Sequence, residues 1–490
     1  MELILALDAG TSGVRTVAFD RDLGVVDEAY LELTQYFPAP GEVEHDPLEI
    51  AQLAVSTLRD VASRVRDAGH HIAALGLTNQ RETTVGFDRE RGDVFQRAIV
   101  WQDRRGAALC RELDEQGHGD AIRATTGLVL DSYFSATKMK WMLDRGLAER
   151  ALRPSFSTID SWLLWTLSGG VEGGVFVTEP SNASRTLLMD LATLDWSPAM
   201  MTLFGVSRSM LADVLPSCGQ FAVVSGDVVA ELAGVPVTGV LGDQQSALFG
   251  QACFTPGQVK ATYGTGAFLL ANAGDTVPSV VNGLLSTVGW DLGAFGSTTY
   301  ALEGSAFVAG AAVQWLRDLG FMKASSDLES LALSANDSAG VQFVPAFTGL
   351  GSPFWDPDAR GAITGLSRGV GKGEIARALV ESLAYQVRAM TDAFRGGGLE
   401  LKELRADGGA AAMDLLLQLQ ATNSRVDVLR SSTLEATARG AASVAGFEAG
   451  LWSSLDELSE RWRDVARFHP ENPVTVDAGY EVWRRALERA

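Results

Sequence analysis

A pattern of strand, small-residue turn and strand occurs twice in the chain, more than two hundred residues apart. The first copy is ILALDAGTSGVRTVAFD, residues 4–20, and the second is VKATYGTGAFLLANAG, residues 259–274. In each copy an apolar run leads into glycine and threonine and then into a second apolar run, which predicts a β-hairpin. Two such hairpins predict two related domains, each presenting one turn to a shared polyphosphate.

The first of these turns is suited to binding an anion. Its backbone N–H groups and hydroxyls can surround a phosphate, and the neighbouring carboxylate of Asp8 could hold Mg²⁺. A dinucleotide-binding fold would place a helix directly after its glycine-rich loop, but no helical pattern begins here until about residue 48. On this stretch alone, the alternative is a plain hairpin with a tolerated turn.

Length and composition limit the class of protein. A chain of 490 residues with 46% hydrophobic and 21% charged residues is expected to form a globular protein of two or three domains. Its net charge of −21 makes nucleic acid and anionic membranes poor partners. The longest uncharged stretch, residues 338–355, is broken by prolines and glycines, so we expect no membrane insertion. The three cysteines form no C-x-x-C pair and are odd in number, which favours the reducing cytoplasm.

The order of helical and strand patterns predicts an α/β fold. Asp46 and Pro47 open an amphipathic helix over residues 46–65, and a strand follows over 72–77. In the second half we expect helices over 307–316, 374–394 and 415–421, and a strand over 404–406 that leads into DGGAAAMD. We place a domain boundary near residue 250, which divides the chain into residues 1–250 and 251–490.

Polar clusters follow several predicted strands, at the position where α/β sheets bind ligands. The clusters are NQRE at 79–82, WQDRR at 101–105 and GDQQ at 242–245. Asp243 follows the apolar run 237–241, so its carboxylate is placed to accept a proton from a bound hydroxyl. The first two clusters could instead be loop ion pairs or helix caps.

A small polyol needs fixed donors and acceptors and an apolar wall against its carbons. The sequence offers such a set in Arg81, Glu82, Gln244, Trp101, Tyr133 and Phe268. Together with the phosphate turns, this set predicts phosphorylation of a hydroxyl group.

Several segments together resemble the glycerol kinases of the FGGY carbohydrate kinase family, and the resemblance spans nearly the whole chain. They are LDAGTSG, TNQRETT, VWQDRR, TGLVLDSYFSATK, GDQQSALFGQ, YGTGAF, ALEGSAFVAGAAVQWLRD, VPAFTGLGSPFWDPDARGAITGLSRG and DGGA. The resemblance implies an α/β fold of two ribonuclease H/actin-like domains with a catalytic cleft between them. It also implies closure of the domains over ATP, Mg²⁺ and glycerol, and assembly into a homodimer or homotetramer.

The resemblance assigns roles to individual residues. Glycerol would be bound by Arg81, Glu82, Trp101, Tyr133, Asp243, Gln244 and Phe268, with Asp243 as the general base. The nucleotide would be bound by Thr11, Ser12, Gly13, Arg15, Thr265, Gly310, Gln314, Gly409 and Met413, and Mg²⁺ by Asp8 and Asp243. The implied reaction is direct in-line transfer of the γ-phosphoryl group of ATP to glycerol, giving sn-glycerol 3-phosphate.

Some positions depart from the family pattern and keep alternatives open. Ala9 stands where glycerol kinases usually carry glutamine, and the sequence Ser12-Gly13-Val14 is more similar to that of xylulose-type kinases of the family. A kinase that acts on a tetritol or on xylulose is therefore the alternative function. Met413 stands where an asparagine contacts adenine, which predicts relaxed base selectivity because a thioether lacks the hydrogen bonds of an amide. A further alternative, an actin-like ATPase switch, would leave the polyol residues without a role.

Overall fold

The computed structural model describes residues 1–279, 283–432, 435–472 and 474–490. Its first strands are β1 (Glu2–Ala9), β2 (Gly13–Phe19), β3 (Val25–Glu32), β4 (Glu44–His45), β5 (His71–Asn79), β6 (Val85–Asp88), β7 (Ala98–Ile99), β8 (Pro154–Ser157), β9 (Val177–Thr178), β10 (Met189–Asp190), β11 (Asp195–Trp196), β12 (Asp213–Val214), β13 (Cys218–Val223) and β14 (Pro236–Gly242). The later strands are β15 (Gln258–Tyr263), β16 (Ala267–Gly274), β17 (Leu285–Asp291), β18 (Thr298–Ala306), β19 (Gln342–Val344), β20 (Ala362–Thr364), β21 (Glu403–Asp407), β22 (Asp427–Ser431) and β23 (Asp464–Phe468).

Helices alternate with these strands along the chain. They are α1 (Pro47–Asp67), α2 (Ala107–Glu115), α3 (Gly119–Thr126), α4 (Ser135–Asp144), α5 (Ile159–Leu167), α6 (Pro180–Ala183), α7 (Pro198–Phe204), α8 (Asp243–Gly250), α9 (Gly310–Asp318), α10 (Leu328–Leu333), α11 (Lys372–Gly396), α12 (Asp414–Ser424), α13 (Ala436–Glu448), α14 (Leu455–Ser459) and α15 (Val474–Leu487). In the part of the chain that the structure describes, no helix is both long and apolar enough to span a bilayer.

The first large sheet is built around the predicted N-terminal hairpin. Its strand order is β13-β14-β5-β1-β2-β3, in which β1 is antiparallel to β2 and parallel to β5. Helix α1 begins as predicted: the Asp46 side chain accepts the N–H of Leu48, and Pro47 occupies the first turn. Its apolar face packs on this sheet in a buried cluster that includes Leu58 and Leu75.

The second large sheet repeats the arrangement. Its order is β17-β18-β16-β15-β21-β22-β23, in which β15 is antiparallel to β16 and parallel to β21. Strands β15 and β16 therefore correspond to β1 and β2, and both predicted hairpins are confirmed. In both sheets the hairpin turn lies beside the carboxyl end of a neighbouring parallel strand, which is β5 or β21.

Helices α8 and α13 lie between the two sheets, and their contact with each other positions the start of α8. Helix α13 packs on β1, β5 and β14 of the first sheet and crosses α8. A Cβ added to Gly440 would lie 1.8 Å from the carbonyl oxygen of Ser246, and one added to Gly250 would lie 2.0 Å from that of Ala436. The backbones of α8 and α13 are therefore in direct contact, and that contact fixes the helix whose first residue is Asp243.

The remaining predicted elements also form. The predicted strand over 72–77 lies within β5, the strand over 404–406 within β21, and the helices over 374–394 and 415–421 within α11 and α12. The helix expected from residue 307 begins at Gly310, because β18 runs to Ala306 and the Gly310 N–H closes onto the carbonyl of Gly264 at 3.0 Å.

Candidate functional site

Asp243 is the first residue of α8 and directly follows β14, as its sequence context predicted. One carboxylate oxygen accepts the backbone N–H of Gln244 at 2.6 Å and lies 3.2 Å from Nε of Arg81. Burial raises the pKa of Asp243, and the charges of Arg81 and Lys260 oppose that rise. The side chain remains 28% exposed, so the carboxylate is available to a ligand.

Arg81 and Glu82 follow β5 and enter a buried network of four charges. Arg81 donates to both carboxylate oxygens of Glu303, with Nη1–Oε2 at 2.6 Å and Nη2–Oε1 at 3.2 Å. Arg185 donates from Nη2 to Glu303 at 3.1 Å and from Nε to Glu82 at 2.7 Å. All four side chains are buried, so the bidentate contact holds the Arg81 guanidinium with its Nε directed at Asp243.

The network keeps its central carboxylate ionised. Burial alone would raise the pKa of Glu303, but Arg185 and Arg81 outweigh it and lower the pKa to about 2. For Glu82 the balance is reversed, because burial raises its pKa although the same two guanidinium groups oppose the rise.

The predicted apolar wall is present as a row of aromatic rings. The Trp101 ring meets Tyr133 edge to face at 5.6 Å and Phe268 at 6.5 Å between centroids. The Trp101 indole donates to Thr11 Oγ1 at 2.9 Å, which ties the wall to the first hairpin turn. Buried Lys138 donates to the Tyr133 carbonyl at 2.5 Å and so holds the loop that carries this ring.

The first turn is held by backbone contacts that leave its tip open. The Ser12 carbonyl accepts the N–H of Leu33 at 3.0 Å and the hydroxyl of Tyr30 at 3.2 Å. A Cβ on Gly13 would lie 2.5 Å from the Leu31 carbonyl oxygen, so only glycine fits there. The side chain of Ser12 is exposed and that of Thr11 is partly exposed, as binding to a phosphate requires.

Arg15 and Asp8 face each other across the first hairpin. Arg15 forms a close ion pair with Glu435 and lies 3.9 Å from Glu28, so its charge is already partnered. Burial raises the pKa of Asp8 to about 7, assisted by Asp243 and Glu435 and opposed by Arg15. The negative charge of Asp243 therefore adds to the effect of burial on the pKa of Asp8.

The second turn packs on the start of α9. The Thr265 carbonyl accepts the N–H of Ala309 at 2.8 Å and that of Ala311 at 3.1 Å. A Cβ on Gly310 would lie 2.5 Å from the Gly264 carbonyl oxygen, so glycine is required for this approach. The side chains of Thr265 and Gln314 are exposed, on the turn and on α9 respectively.

Gly409 and Met413 follow β21, at the other side of the second hairpin. Gly408 has a φ of 88°, and a Cβ there would lie 2.5 Å from the Tyr263 carbonyl oxygen, which brings this glycine turn against the end of β15. Gly409 is exposed and has no atom near the direction of a Cβ. Met413 is only 9% exposed and packs in the core of the second sheet.

Several buried polar residues around the site were not predicted from the sequence. Glu303 and Lys260 are the one charged residue in each of the strands β18 and β15, and that isolation was the available signal. Arg185 and Glu179 lie in the polar segment TEPSNASRT, which had no assigned role.

Glu179 supports the segment from which Asp243 projects. Its carboxylate accepts the N–H of Ser181 at 2.8 Å and the hydroxyl of Ser217 at 2.7 Å. The Ser181 hydroxyl in turn accepts the N–H of Gly242 at 2.8 Å. Glu179 therefore acts on the backbone directly before Asp243 and not on a ligand.

Comparisons with known proteins agree with this arrangement. Residues 3–250 match the model for the N-terminal domain of the FGGY family of carbohydrate kinases, and residues 259–449 match the model for its C-terminal domain. A glycerol kinase of Acidovorax sp. (strain JS42) is 48% identical over 504 residues, covering 100% of this chain and 99% of that protein. A glycerol kinase of Thermus brockianus is 48% identical over 498 residues, with the same coverage.

Solved structures show the same fold. Glycerol kinase from Plasmodium falciparum with ADP superimposes with a TM-score of 0.93 at 33% identity, covering 100% of this chain and 98% of that one. A xylulose kinase from Lactobacillus acidophilus reaches a TM-score of 0.90 at 19% identity, covering 100% and 97%, and shows the fold alone. The expected fold class, α/β with two ribonuclease H/actin-like domains, is confirmed.

Proposed function

The chain belongs to the FGGY family of carbohydrate kinases, and from that premise we propose that it transfers the γ-phosphoryl group of ATP to glycerol, giving sn-glycerol 3-phosphate. One observation supports the proposal independently of family membership. The predicted polyol-binding residues come from distant parts of the chain, and contacts in the structure connect them to one another. Arg81 meets Asp243, Lys260 bridges Gln244 and the Phe268 carbonyl, and Trp101 lies between Phe268 and Tyr133. Such a set combines fixed polar groups with an apolar wall, as a short polyol requires.

Asp243 is proposed as the general base. Its carboxylate is partly exposed, fixed by the Gln244 N–H and flanked by Arg81, which keeps it from turning away from a bound hydroxyl. In the proposed step a primary hydroxyl of glycerol gives its proton to Asp243 as its oxygen attacks the γ-phosphorus in line with the departing ADP oxygen.

The two hairpin turns are proposed to hold the phosphates. Thr11 and Ser12 on the first turn and Thr265 on the second are at least partly exposed, whereas the backbones beneath them are fixed by hydrogen bonds. Gly310, Gln314 and Gly409 extend the proposed nucleotide site along α9 and the turn after β21. Arg15 would reach a phosphate only by leaving its ion pair with Glu435.

The donors present fit a magnesium ion. The charge of Asp243 helps to raise the pKa of Asp8, and carboxylate oxygens such as those of these two residues are the ligands Mg²⁺ prefers. Among the described residues no group of three or more His, Cys, Asp or Glu could hold a metal by itself, and Mg²⁺ in kinases is held by one or two carboxylates together with phosphates. When bound, the ion neutralises charge on the phosphates during transfer.

The substrate is the part of the proposal that most needs a direct test. ADP release with Mg²⁺ and ATP should be measured for glycerol, erythritol and D-xylulose under identical conditions. We expect the highest kcat/KM for glycerol. If erythritol or D-xylulose gives a higher value, the substrate assignment is wrong, and Ala9 and the Ser12-Gly13-Val14 turn become the sites to exchange.

The remaining features of the proposed enzyme concern its organisation. We propose a division at residue 250, supported by the two sheets, which take their strands from residues 2–242 and 258–468. We propose a cytoplasmic location, supported by three buried free cysteines, Cys110, Cys218 and Cys253. A homodimer or homotetramer is proposed from family membership, and light scattering of the purified chain would test it.

A further inference from the structure

Lys260 is a buried lysine whose contacts join the two halves of the proposed polyol site. It lies on β15, is fully buried, and donates from Nζ to Oε1 of Gln244 at short range and to the carbonyl oxygen of Phe268 at 3.4 Å. Gln244 belongs to α8 beside the first sheet, and Phe268 belongs to β16 of the second sheet. One ammonium group therefore contacts a proposed polyol-binding residue beside the first sheet and another in the second sheet.

The charge of Lys260 is compensated by carboxylates that face it. Burial lowers its pKa to about 8, while Asp407, Asp243 and Glu303 oppose that fall and Arg81 assists it. Asp407 is itself held by a close hydrogen bond from Gln251, so it cannot move away from the ammonium group. These three carboxylates thus stabilise the charged form of Lys260 at a buried position where an unpaired ammonium group would be strongly destabilised.

The contact with Gln244 also determines which way its amide points. An ammonium group has three donors and no acceptor, so only the amide oxygen can face Lys260. The amide nitrogen must then point away from Lys260, and among the described residues it has no hydrogen-bond partner. Gln244 therefore presents a free N–H₂ donor at a partly exposed position next to Asp243.

We infer that Lys260 is a positioning residue that fixes the Gln244 amide as a hydrogen-bond donor to a hydroxyl oxygen of the polyol. This inference rests on the proposed function and adds to it a residue that touches neither glycerol nor ATP. With the amide fixed, Gln244 donates to the substrate and Asp243 accepts from it, so adjacent residues have complementary roles. Without Lys260 the amide would be free to turn and present its oxygen, which would compete with Asp243 for hydroxyl protons.

A double-mutant cycle tests the inference. Lys260→Met keeps an unbranched side chain one atom shorter and removes the donor, Gln244→Leu removes the amide, and the third variant carries both changes. We expect each single change to raise KM for glycerol about tenfold, the usual cost of one hydrogen bond, with KM for ATP changed less than about twofold. Since both act through the same amide, the double variant should resemble Gln244→Leu alone. Additive losses, or an equal rise in KM for ATP, would overturn the inference.

A second variant keeps the test decisive if Lys260→Met does not fold. Gln244→Glu preserves an acceptor for Lys260 but removes the N–H₂ donor at a partly exposed position. We expect KM for glycerol to rise about tenfold. An unchanged KM would show that Gln244 does not donate to the polyol. Lys402→Met, the same chemical change at an exposed residue before β21, serves as the matched control and should leave both KM values unaltered.

The wild-type measurement separates this inference from the proposed function. If wild-type chain shows no turnover with glycerol, the function proposal fails, and the cycle is repeated with the polyol or ketose that gives turnover. If wild-type turnover with glycerol is normal and the cycle is additive, only the role of Lys260 is wrong.

Discussion

Replacement of Glu303 by glutamine should destabilise the protein more than any exposed carboxylate change. Glu303 is fully buried and accepts hydrogen bonds from Arg81 at 2.6 and 3.2 Å and from Arg185 at 3.1 Å. An amide keeps one oxygen but turns an N–H₂ group towards a guanidinium donor, and it leaves Glu82 as the only anion of the network.

The pKa of Glu303 sets the expected magnitude. The carboxyl falls from an ordinary value of 4.5 to about 2 in the folded chain. At about 1.4 kcal/mol per pKa unit, ionised Glu303 contributes about 3 kcal/mol to the free energy of unfolding at pH 7. The usual cost of breaking a buried ion pair, about 3–5 kcal/mol, agrees with this value.

The sign of the pH dependence follows from the depressed pKa. The contribution is fully present above the unfolded pKa of 4.5 and is lost as the pH falls towards the folded pKa of about 2. Glutamine is uncharged, like the protonated carboxyl. The difference in the free energy of unfolding between wild type and Glu303→Gln should therefore be about 3 kcal/mol at pH 7 and about 2 kcal/mol at pH 3.5.

Urea unfolding followed by tryptophan fluorescence measures this difference. Asp318→Asn is the control, since Asp318 forms an exposed ion pair with Arg317 on α9 and its loss should cost less than about 1 kcal/mol. A cost of Glu303→Gln below about 1 kcal/mol at pH 7, or a cost that increased as the pH was lowered, would show that ionised Glu303 does not stabilise the fold in this way.

Three kinetic predictions concern other parts of the site. Gly310→Ala should raise KM for ATP about tenfold and leave KM for glycerol nearly unchanged, because its Cβ would lie 2.5 Å from the Gly264 carbonyl oxygen and displace the second turn; an unchanged KM for ATP in steady-state assays would contradict this. Trp101→Ala should raise KM for glycerol about tenfold, because the indole packs between Tyr133 and Phe268; an effect confined to KM for ATP would contradict it. GTP should support turnover with kcat/KM within about tenfold of ATP, because Met413 cannot form an amide's hydrogen bonds; a preference for ATP above about a hundredfold would show that the base is read elsewhere.

Local patterns in the sequence predicted the elements that local forces determine. The apolar runs around both glycine turns predicted the hairpins, and Asp46 with Pro47 predicted the start of α1. Asp243 was placed correctly at a strand end because the buried run before it is continuous and the helix begins at once.

The contacts that shape the site depend on residues far apart in sequence, which local patterns do not indicate. Glu303 joins Arg81 and Arg185 across separations of 222 and 118 residues. Helix α13 is rich in alanine and glycine and is buried on nearly all sides. Its sequence therefore does not indicate which of the two sheets it packs on. It packs on the first sheet although it lies between β22 and β23 of the second sheet in the chain.

Some assigned roles also depend on contacts that the motifs do not contain. Arg15 was expected at a phosphate, but the chain returns after β22 to place Glu435 against it. Met413 was expected beside the base, and the structure buries most of its side chain among core residues of the second sheet. These two residues occupy the predicted elements, and their surroundings were not predictable.

Glycerol-dependent ADP release by wild type, Asp243→Asn and Asp318→Asn shows whether Asp243 is the general base of the proposed glycerol kinase. We expect turnover by wild type and Asp318→Asn, and a loss of about a hundredfold to ten-thousandfold in kcat for Asp243→Asn, the range expected for a missing general base. Turnover by Asp243→Asn above about a tenth of wild type would contradict the claim that this carboxylate takes the proton of the attacking hydroxyl.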